Sequence, residues 1–586
     1  MSVIFGIFDT TGTSAASGIR TAMLREASFG GTREVATWDT DQCLLGATAH
    51  LTQLFFHNPK TGRTYLRGGE YFAAPGTPAP PARQDSDEAF MFLDAFFEQP
   101  DGGRAASLDG HFAVVRYDPA LQRIDIVNDR MGLYPIYVVR TDAWTAFSSE
   151  YQIVAPLLPR PIRLDRQFLA ELSLYGFACD GRTPIEGFQA LPPATRMSVD
   201  RTGAVSAGTY ATWEYAVDTE TPFEEHAAQI CSMMRDILCN QLSDGRVESL
   251  PITGGYDSRL LLGLLPEDVR REKLWVTNCS PHLEESEDRD VIIAKEIADR
   301  FGLRHKVLHF PAEPQTADGG QFYERLRPDS DWFNVQGHFS GYLKGMHYDF
   351  RRIDDGRAAV FASTFSGPLN EWAADEFRPI SGRDDYFADA NRNLKYYLLH
   401  NIRTFMNKDP LHSGKWVNPI SMFLQSLRTP FGAASLYKKL LTVPSEYIVD
   451  GSLFLAIMQA TSAGYMDIPF TSVPFAASKY AREHLRLRKM EAGRDYQVVR
   501  RRTWDDLFKS YLLDYRRRAI YSTKHLRRIG LLYAAEYSPL KRCIPATVKS
   551  HWRYKRYFKD GVAQDFIRLE SWLRLYADRG NIARAV

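Results

Sequence analysis

The chain is poor in the features that mark several protein classes. Its 586 residues hold only six cysteines, Cys43, Cys179, Cys231, Cys239, Cys279 and Cys543. No two of them form a CxxC pair, which excludes a zinc ribbon and argues against a disulfide framework. Reduced thiols in a cytoplasmic protein fit this usage best. The start, "MSVIFGIFDTTG", lacks a basic segment and carries Asp9 early, so it does not read as a signal peptide. The longest tempting apolar run, Gly451–Met466, is interrupted by Gln, Ser, Thr and Gly and is too short for a transmembrane segment. Net charge is nearly absent, at +1. No internal repeat is visible, and one Pro-rich stretch, "AAPGTPAPPARQDSD", is the only biased segment.

The near-zero charge is unevenly spread. Residues 501–586 hold 20 Lys/Arg against 8 Asp/Glu, so the rest of the chain is net acidic. A basic C-terminal extension (511–586) can contact an anionic partner, or can simply be a solvated helical face. Nothing in it has the pattern of a nucleic-acid-binding module, and no nucleic-acid partner is expected. Hydrophobic residues at 44% and charged residues at 24% describe an ordinary soluble chain. The length suggests more than one domain.

Residues 1–150 read as short strands and turns. "GHFAVVRYD" and "RIDIVND" flank a hairpin-like "PALQ", and "FFHNPKTGRTYLRGGEYF" is a similar pair. "SDEAFMFLDAFFEQ" has a Ser/Asp cap and a helical apolar period. Residues 206–222 read as a linker. From Phe223 the pattern becomes helix, strand, helix, strand, helix, strand: "EEHAAQICSMMRDILCNQL", "SLPIT", "SRLLLGLL", "KLWVTNC", "DRDVIIAKEIADRFG" and "HKVLHF". That alternation predicts a doubly wound α/β sheet. Beyond about residue 320 the chain reads as mostly helical.

One stretch carries chemistry. In "LPITGGYDSRLLLGLL" a buried-type strand enters two glycines and leaves as a helix. In an open α/β sheet, ligands bind at the carboxyl ends of strands. Gly254 and Gly255 would let backbone approach a ligand and adopt positive φ. The amides leading to Ser258 would sit at a helix N-terminus, which favours an anion. Thr253 and Ser258 add hydroxyls. Asp257 would be repelled by phosphate unless a divalent cation bridges them, which makes it a candidate Mg²⁺ ligand. The stretch is neither GxxxxGK[ST] nor GxGxxG. Read alone, it is equally a plain strand–helix turn.

Its neighbours narrow the choice. "TGGYDSR" resembles the SGGxDS pyrophosphate loop of ATP-pyrophosphatases. "MSVIFGIFD", "SLDGHFAVVRYD", "NDRMGLYPIYV", "FSSEYQIVAPLL" and "LDRQFLAELSLYGFACDGRTPIEGFQALPPATRMSVD" resemble, in order, segments of glutamine-hydrolysing asparagine synthetases. Asp290, Ala294, Ala298 and Gly302 have that family's spacing. The resemblance runs over roughly residues 1–310. It implies an αββα N-terminal-nucleophile glutaminase over 1–205 and an ATP-dependent synthetase over 223–510. The activity implied is carboxylate activation to an acyl-adenylate with release of pyrophosphate, then attack by an amine. ATP and Mg²⁺ are the implied cofactors. Ile252, Thr253, Gly254, Gly255, Asp257, Ser258 and Val276 are the implied nucleotide-binding residues.

Departures from the family pattern matter as much. The expected N-terminal cysteine nucleophile is Ser2. "GGEYF" stands for the Asn-Gly-Glu segment, so Gly68 replaces an oxyanion donor, with Gly69, Glu70 and Asp87 at the glutamine-binding positions. Loss of one such donor lowers rates by about 10²–10³, and a silent glutaminase is expected. A second phosphate-side turn is expected after a strand near residue 360. "AAVFASTFSGPLNEWAADE" offers Ser363, Ser366, Gly367 and Glu371, but Pro368 or Asn370 stands where an aspartate belongs. Lys479, with Arg482, Arg486 and Arg488 nearby, is the candidate for a pyrophosphate lysine. His305 and His309 form a possible but unsupported metal pair. The run Glu284–Asp290 is better explained as helix capping.

Aspartate, giving asparagine, is the default substrate. A small-molecule or peptide carboxylate joined to an amine other than ammonia is the alternative, as in macrolactam synthesis. A third reading is an ATP-binding pseudoenzyme or scaffold.

Overall fold

The computed structural model describes residues 3–11, 15–28, 34–48, 55–81, 86–98, 103–158, 162–175, 178–214, 216–279, 283–309, 333–335, 354–382, 427–473 and 478–490, with a few positions between 520 and 527. Ser2 and most of the basic extension lie outside the described residues.

The N-terminal part is built from two antiparallel sheets. The first has five strands: β1 (Ile4–Asp9), β2 (Val35–Asp39), β3 (Cys43–Thr48), β8 (Tyr137–Arg140) and β9 (Trp144–Ser148), in the order β2-β3-β1-β9-β8. The second has six: β4 (Phe55–His57), β5 (Thr64–Ala73), β6 (Leu108–Asp118), β7 (Arg123–Asn128), β10 (Thr195–Asp200) and β11 (Val205–Thr209), ordered β11-β10-β7-β6-β5-β4. Strand alternation sends opposite residues to opposite faces. Ile4 and Phe8 of the first sheet meet Leu66, Ala113, Val115 and Ile124 of the second in one buried layer. Phe5 and Ile7 turn outward to Met23 and Ala27 of the helix Ala15–Ala27. Tyr65, Phe112 and Val114 turn outward to Phe90, Leu93, Phe96 and Phe97 of the helix Asp87–Glu98. The order of layers is thus helix, sheet, sheet, helix, as the resemblance implied. Both hairpins foreseen in the sequence form, β4–β5 and β6–β7.

The boundary after this body differs from the expectation. Residues 205–209 are strand β11, and Tyr210 is buried with its hydroxyl donating to the Asn128 carbonyl at 2.7 Å. The sheet body therefore runs past 205 into what read as linker.

A five-stranded parallel sheet follows: β12 (Val247–Pro251), β13 (Leu274–Cys279), β14 (Arg304–His309), β15 (Phe333–Val335) and β16 (Leu427–Arg428). Its order is β14-β13-β12-β15-β16, with every pairing parallel. The chain moves one way from β12 through β13 to β14, then returns to the other side of β12. Strand order reverses at β12, the place where open α/β sheets form ligand crevices. The helix Phe223–Leu242 precedes β12. The helix Arg289–Phe301 starts on Asp288, which accepts from the Asp290 and Val291 amides, and stops at Gly302 with φ +63°. Capping is therefore what the acidic run does.

Among the described residues 354–382 there is no strand. Residues Arg357–Thr364 and Gly367–Asp375 are two helices packed on the helix Arg166–Tyr175 of the N-terminal part. The Tyr175 hydroxyl donates to Asp354 at 2.5 Å and accepts from the Ile380 amide at 3.0 Å. Phe361, Phe365, Leu369 and Ala373 repeat at helical spacing and all are buried. The strand was implied by the family resemblance, whereas the residues themselves carry a helical period. Glu371 lies exposed on the second helix, so its candidate role as part of a phosphate-side turn after a strand is not supported.

The two halves are joined by buried polar contacts. Arg428, 2% exposed, sits at the end of β16. Its guanidinium donates to both oxygens of Glu70 at 2.9 and 3.2 Å and to both oxygens of Asp244 at 2.8 and 2.6 Å. It also donates to the Gln241 carbonyl and lies over the Phe72 ring. Thr429 bonds His111 at 2.6 Å, and Ser435 donates twice to buried Asp109. Arg428 and Arg246 hold the Asp244 carboxyl well below its usual range, against the opposing effect of burial. A depressed carboxylate contributes stability above its unfolded pKa of about 3.9 and loses it as pH falls toward the lower folded value. Arg428→Met should lower unfolding free energy at pH 7 by about 3–5 kcal/mol, because two carboxylates lose a buried partner. The gap between wild type and variant, read by urea unfolding, should shrink below about pH 4. A gap that stays constant to pH 3 refutes this account.

Candidate phosphate loop and glutamine-type pocket

The loop Ile252–Gly255 leaves the carboxyl end of β12 and enters the helix Tyr256–Leu264. The helix has Gly255 as its N-cap and no side-chain cap, and Asp257 lies in its first turn. A glycine at the N-cap offers the helix's first amides no side-chain acceptor of its own, which suits an incoming anion. Within the loop, the Thr253 amide donates to Ser258 Oγ at 3.0 Å, and the Thr253 and Ser258 hydroxyls meet at 3.1 Å. The Gly255 amide donates to Thr253 Oγ1 at 3.2 Å. Two hydroxyls and a helix N-terminus therefore converge on one turn. Ser258 is buried and Asp257 is half-exposed.

The two glycines serve different ends. Neither has positive φ, contrary to the expectation, and Gly255 has ordinary extended backbone at φ −86°. At Gly254 a Cβ would lie 2.5 Å from Thr471 Cγ2 and 2.7 Å from Ile293 Cδ1. At Gly255 it would meet only Thr253 Oγ1, at 3.3 Å. Gly254 is small so that protein can close on it, and Gly255 leaves room on the open side.

Gly254 is held from both directions. Its amide donates to Asp290 Oδ1 at 2.8 Å, and its carbonyl accepts from the Thr471 amide at 3.1 Å. Burial pushes the Asp290 carboxyl above its usual range. Thr471 is placed by Arg259, a fully buried residue of the same helix. The Arg259 guanidinium donates to the carbonyls of Tyr465, Ile468 and Pro469 and stacks 3.8 Å from the Phe470 ring centroid. Tyr256 stacks on the same ring at 4.2 Å. The family spacing drew attention to Asp290, but not to this bond. Thr471 and Phe470 gave no local signal at all.

Ile252 and Val276 are adjacent, and their backbones serve each other. The Ile252 amide donates to the Val276 carbonyl at 3.0 Å, and the Ile252 carbonyl accepts from the Thr277 hydroxyl at 2.7 Å. Both side chains are buried. The Ile252 polar groups are thus already engaged. Lys479 is exposed at the start of the helix Lys479–His484, and among the described residues no bond joins it to the loop. His305 bonds Thr277 and His309 bonds Glu285, so the two histidines are used separately. A surface hollow of about 1110 Å³ beside Glu285, Lys295 and His309 contains no residue of the loop.

The second candidate site lies at the start of the chain. The Val3 amide donates to Thr48 Oγ1 and the Ile4 amide to Ser149 Oγ. Ser149 Oγ also accepts from the Tyr134 hydroxyl at 3.3 Å. Tyr134 is 2% exposed and lies over Gly68, where a Cβ would come within 2.4 Å of its oxygen. An asparagine at 68 would have to displace that ring. Gly69 has φ +72°, and a Cβ there would collide with the His111 carbonyl, so only glycine fits. Glu70 is engaged by Arg428 and Arg246. Asp87 is exposed and pairs with Lys60 at 2.5 Å. The structure thus ties Glu70 to the second half and Asp87 to a surface lysine.

Gly254→Ala should lower stability by about 1–3 kcal/mol through overpacking, while Gly255→Ala should stay within about 0.5 kcal/mol. Equal midpoints for the two variants in urea would contradict the two-sided clamp on Gly254.

Residues 84–211 match a family model described as a glutamine amidotransferase domain. A search of curated proteins gave no match. Two solved structures align over 52% of the chain at 10% identity: an allosteric regulatory enzyme of purine biosynthesis, with TM-score 0.23, and the glutamine phosphoribosylpyrophosphate amidotransferase of B. subtilis complexed with ADP and GMP, with TM-score 0.22. The alignments span 64% and 65% of those chains, just under two thirds of each. Likenesses this slight carry no argument. The sheets described above and the family match together make the N-terminal part a glutamine amidotransferase domain of the class-II, N-terminal-nucleophile type.

Proposed function

We propose that the chain is an ATP-dependent amide-forming ligase of the asparagine synthetase type, and that its amidotransferase domain does not hydrolyse glutamine. The observation that carries the first part is the loop at the strand-order reversal. Thr253, Gly255 and Ser258 surround an uncapped helix N-terminus there, with Asp257 in its first turn. These residues fit a polyphosphate and its cation: amides and hydroxyls for the phosphate oxygens, and one carboxylate for Mg²⁺. ATP would supply the leaving pyrophosphate when a substrate carboxylate is activated. The protein's share is to hold that chain of phosphates and to keep water out, by positioning and charge neutralisation.

The second part rests on Tyr134. Its ring covers Gly68, where the oxyanion donor would stand, and Ser2 takes the place of a cysteine. A serine hydroxyl is the weaker nucleophile at neutral pH. Aspartate remains the default acid. The closed pocket favours the alternative, a specialised carboxylate and an amine other than glutamine-derived ammonia.

ATP–pyrophosphate exchange tests the reading. Exchange should depend on an added acid, with aspartate the first to try and peptide carboxylates the next. Asp257→Asn should lower exchange by about 10²-fold or more if it holds the cation. Nucleotide binding without exchange for any acid would instead indicate a pseudoenzyme. Glutamine hydrolysis that disappears in Ser2→Ala would overturn the silent-glutaminase half alone.

A further inference from the structure

Two arginines are buried on the helix-covered face of the six-stranded sheet, Arg116 and Arg67, and only Arg116 is matched to carboxylates. Arg116, 1% exposed, bonds Asp125 and Asp94 and lies 4.6 Å from the Phe97 ring centroid. Arg63 bonds Asp94, Asp118 and Glu98. Arg67 is on the same face of β5 as Tyr65, two residues on, and is 5% exposed. It makes no ion pair or hydrogen bond among the described residues. Its Nε is fully enclosed without an acceptor. Among the described residues its partners are the rings of Phe56 and Tyr71, with centroids 5.7 and 5.3 Å from the guanidinium carbon.

A buried charge without a counter-ion is strongly unfavourable, and cation–π contacts recover only part of the loss. Arg116 shows how this sheet face compensates such a charge. The carboxylates nearby are already used: Asp94 by Arg63, Arg116 and the Tyr65 hydroxyl, and Asp125 by Arg116, Arg123 and Ser198. We propose that Arg67, flanked by Phe56 and Tyr71, is a receptor for the carboxylate of a small organic acid. The guanidinium fork matches a carboxylate edge-on, and the two rings shield the pair from water, which strengthens it.

The site is distinct from the glutamine-type pocket. Leu66 and Gly68 face the layer between the sheets, where Tyr134 sits, whereas Tyr65 and Arg67 face the helix Asp87–Glu98. Retaining an unmatched charge at a cost in stability is expected of a binding residue, not of a packing one.

The test uses the full chain, with thermal unfolding followed in sodium acetate, sodium benzoate, sodium phosphate and sodium chloride at equal ionic strength. Wild type should show a saturable rise of about 2–5 °C in acetate or benzoate relative to chloride. Arg67→Met should lose that rise and unfold above wild type in chloride, since an unmatched charge is gone. Arg67→Lys keeps charge without the fork and should need at least about tenfold more acetate. A wild-type midpoint that is the same in carboxylate and chloride overturns the proposal, as does an undiminished response in Arg67→Met. A response to phosphate equal to that for acetate overturns the assignment to carboxylates.

Discussion

The contact on which the arrangement of the two halves depends is the guanidinium of Arg428. Two short elements far apart in sequence bring it its carboxylates. Glu70 comes from β5 of the antiparallel body, and Asp244 from the turn that leads into β12. Arginine suits this task because its planar fork can bond two carboxylates in parallel without leaving a donor unused. The geometry also has a consequence for chemistry. Glu70, which the family pattern would give to glutamine, instead anchors the edge strand of the parallel sheet. The same carboxylate cannot bind a free ammonium as strongly while two guanidiniums hold it. The structural joint and the altered pocket are therefore one feature.

What could be read from the sequence was local. Hairpins such as β4–β5 and the alternation from Phe223 to His309 are encoded by period and by caps, and they form where the pattern places them. Gly302 ends its helix in the left-handed conformation, and Asp288 starts it, because each acts within a few residues. What could not be read was long-range. The edge strand β16 is two residues long and pairs with a three-residue strand about 90 positions earlier. No period can announce such a pair. At 357–375 the strand was implied by the family resemblance, while the segment's own apolar residues recur at helical spacing and pack on the helix Arg166–Tyr175.

The loop Ile252–Gly255 shows the same division. Its residue types pointed to an anion cradle, and the uncapped helix N-terminus fits that expectation. Its shape, however, is set by Asp290 on one side and Thr471 on the other. Thr471 is in place because Arg259 bonds three backbone carbonyls before it, those of Tyr465, Ile468 and Pro469. Arg259 is the residue directly after "TGGYDS", so the motif contains its own fastening. The glycine that looked most ready for a ligand, Gly254, is the one the protein itself closes upon.

The loop after β12 and the start of the chain, which would cooperate in a glutamine-dependent enzyme, are built differently. At the loop, small residues keep one side open, and the hydroxyls present can turn from each other to a ligand at little cost. At the start of the chain, the space beside Gly68 is taken by a rigid, buried tyrosine ring whose hydroxyl is already bonded. Reopening that space would mean moving Tyr134 out of the layer between the sheets, at a cost comparable to a large core substitution, about 3–5 kcal/mol. On the proposed reading, the amidotransferase domain serves through its surface and its contacts. The amine that meets an activated carboxylate would then come from solution, and selection for it would rest on residues of the second half.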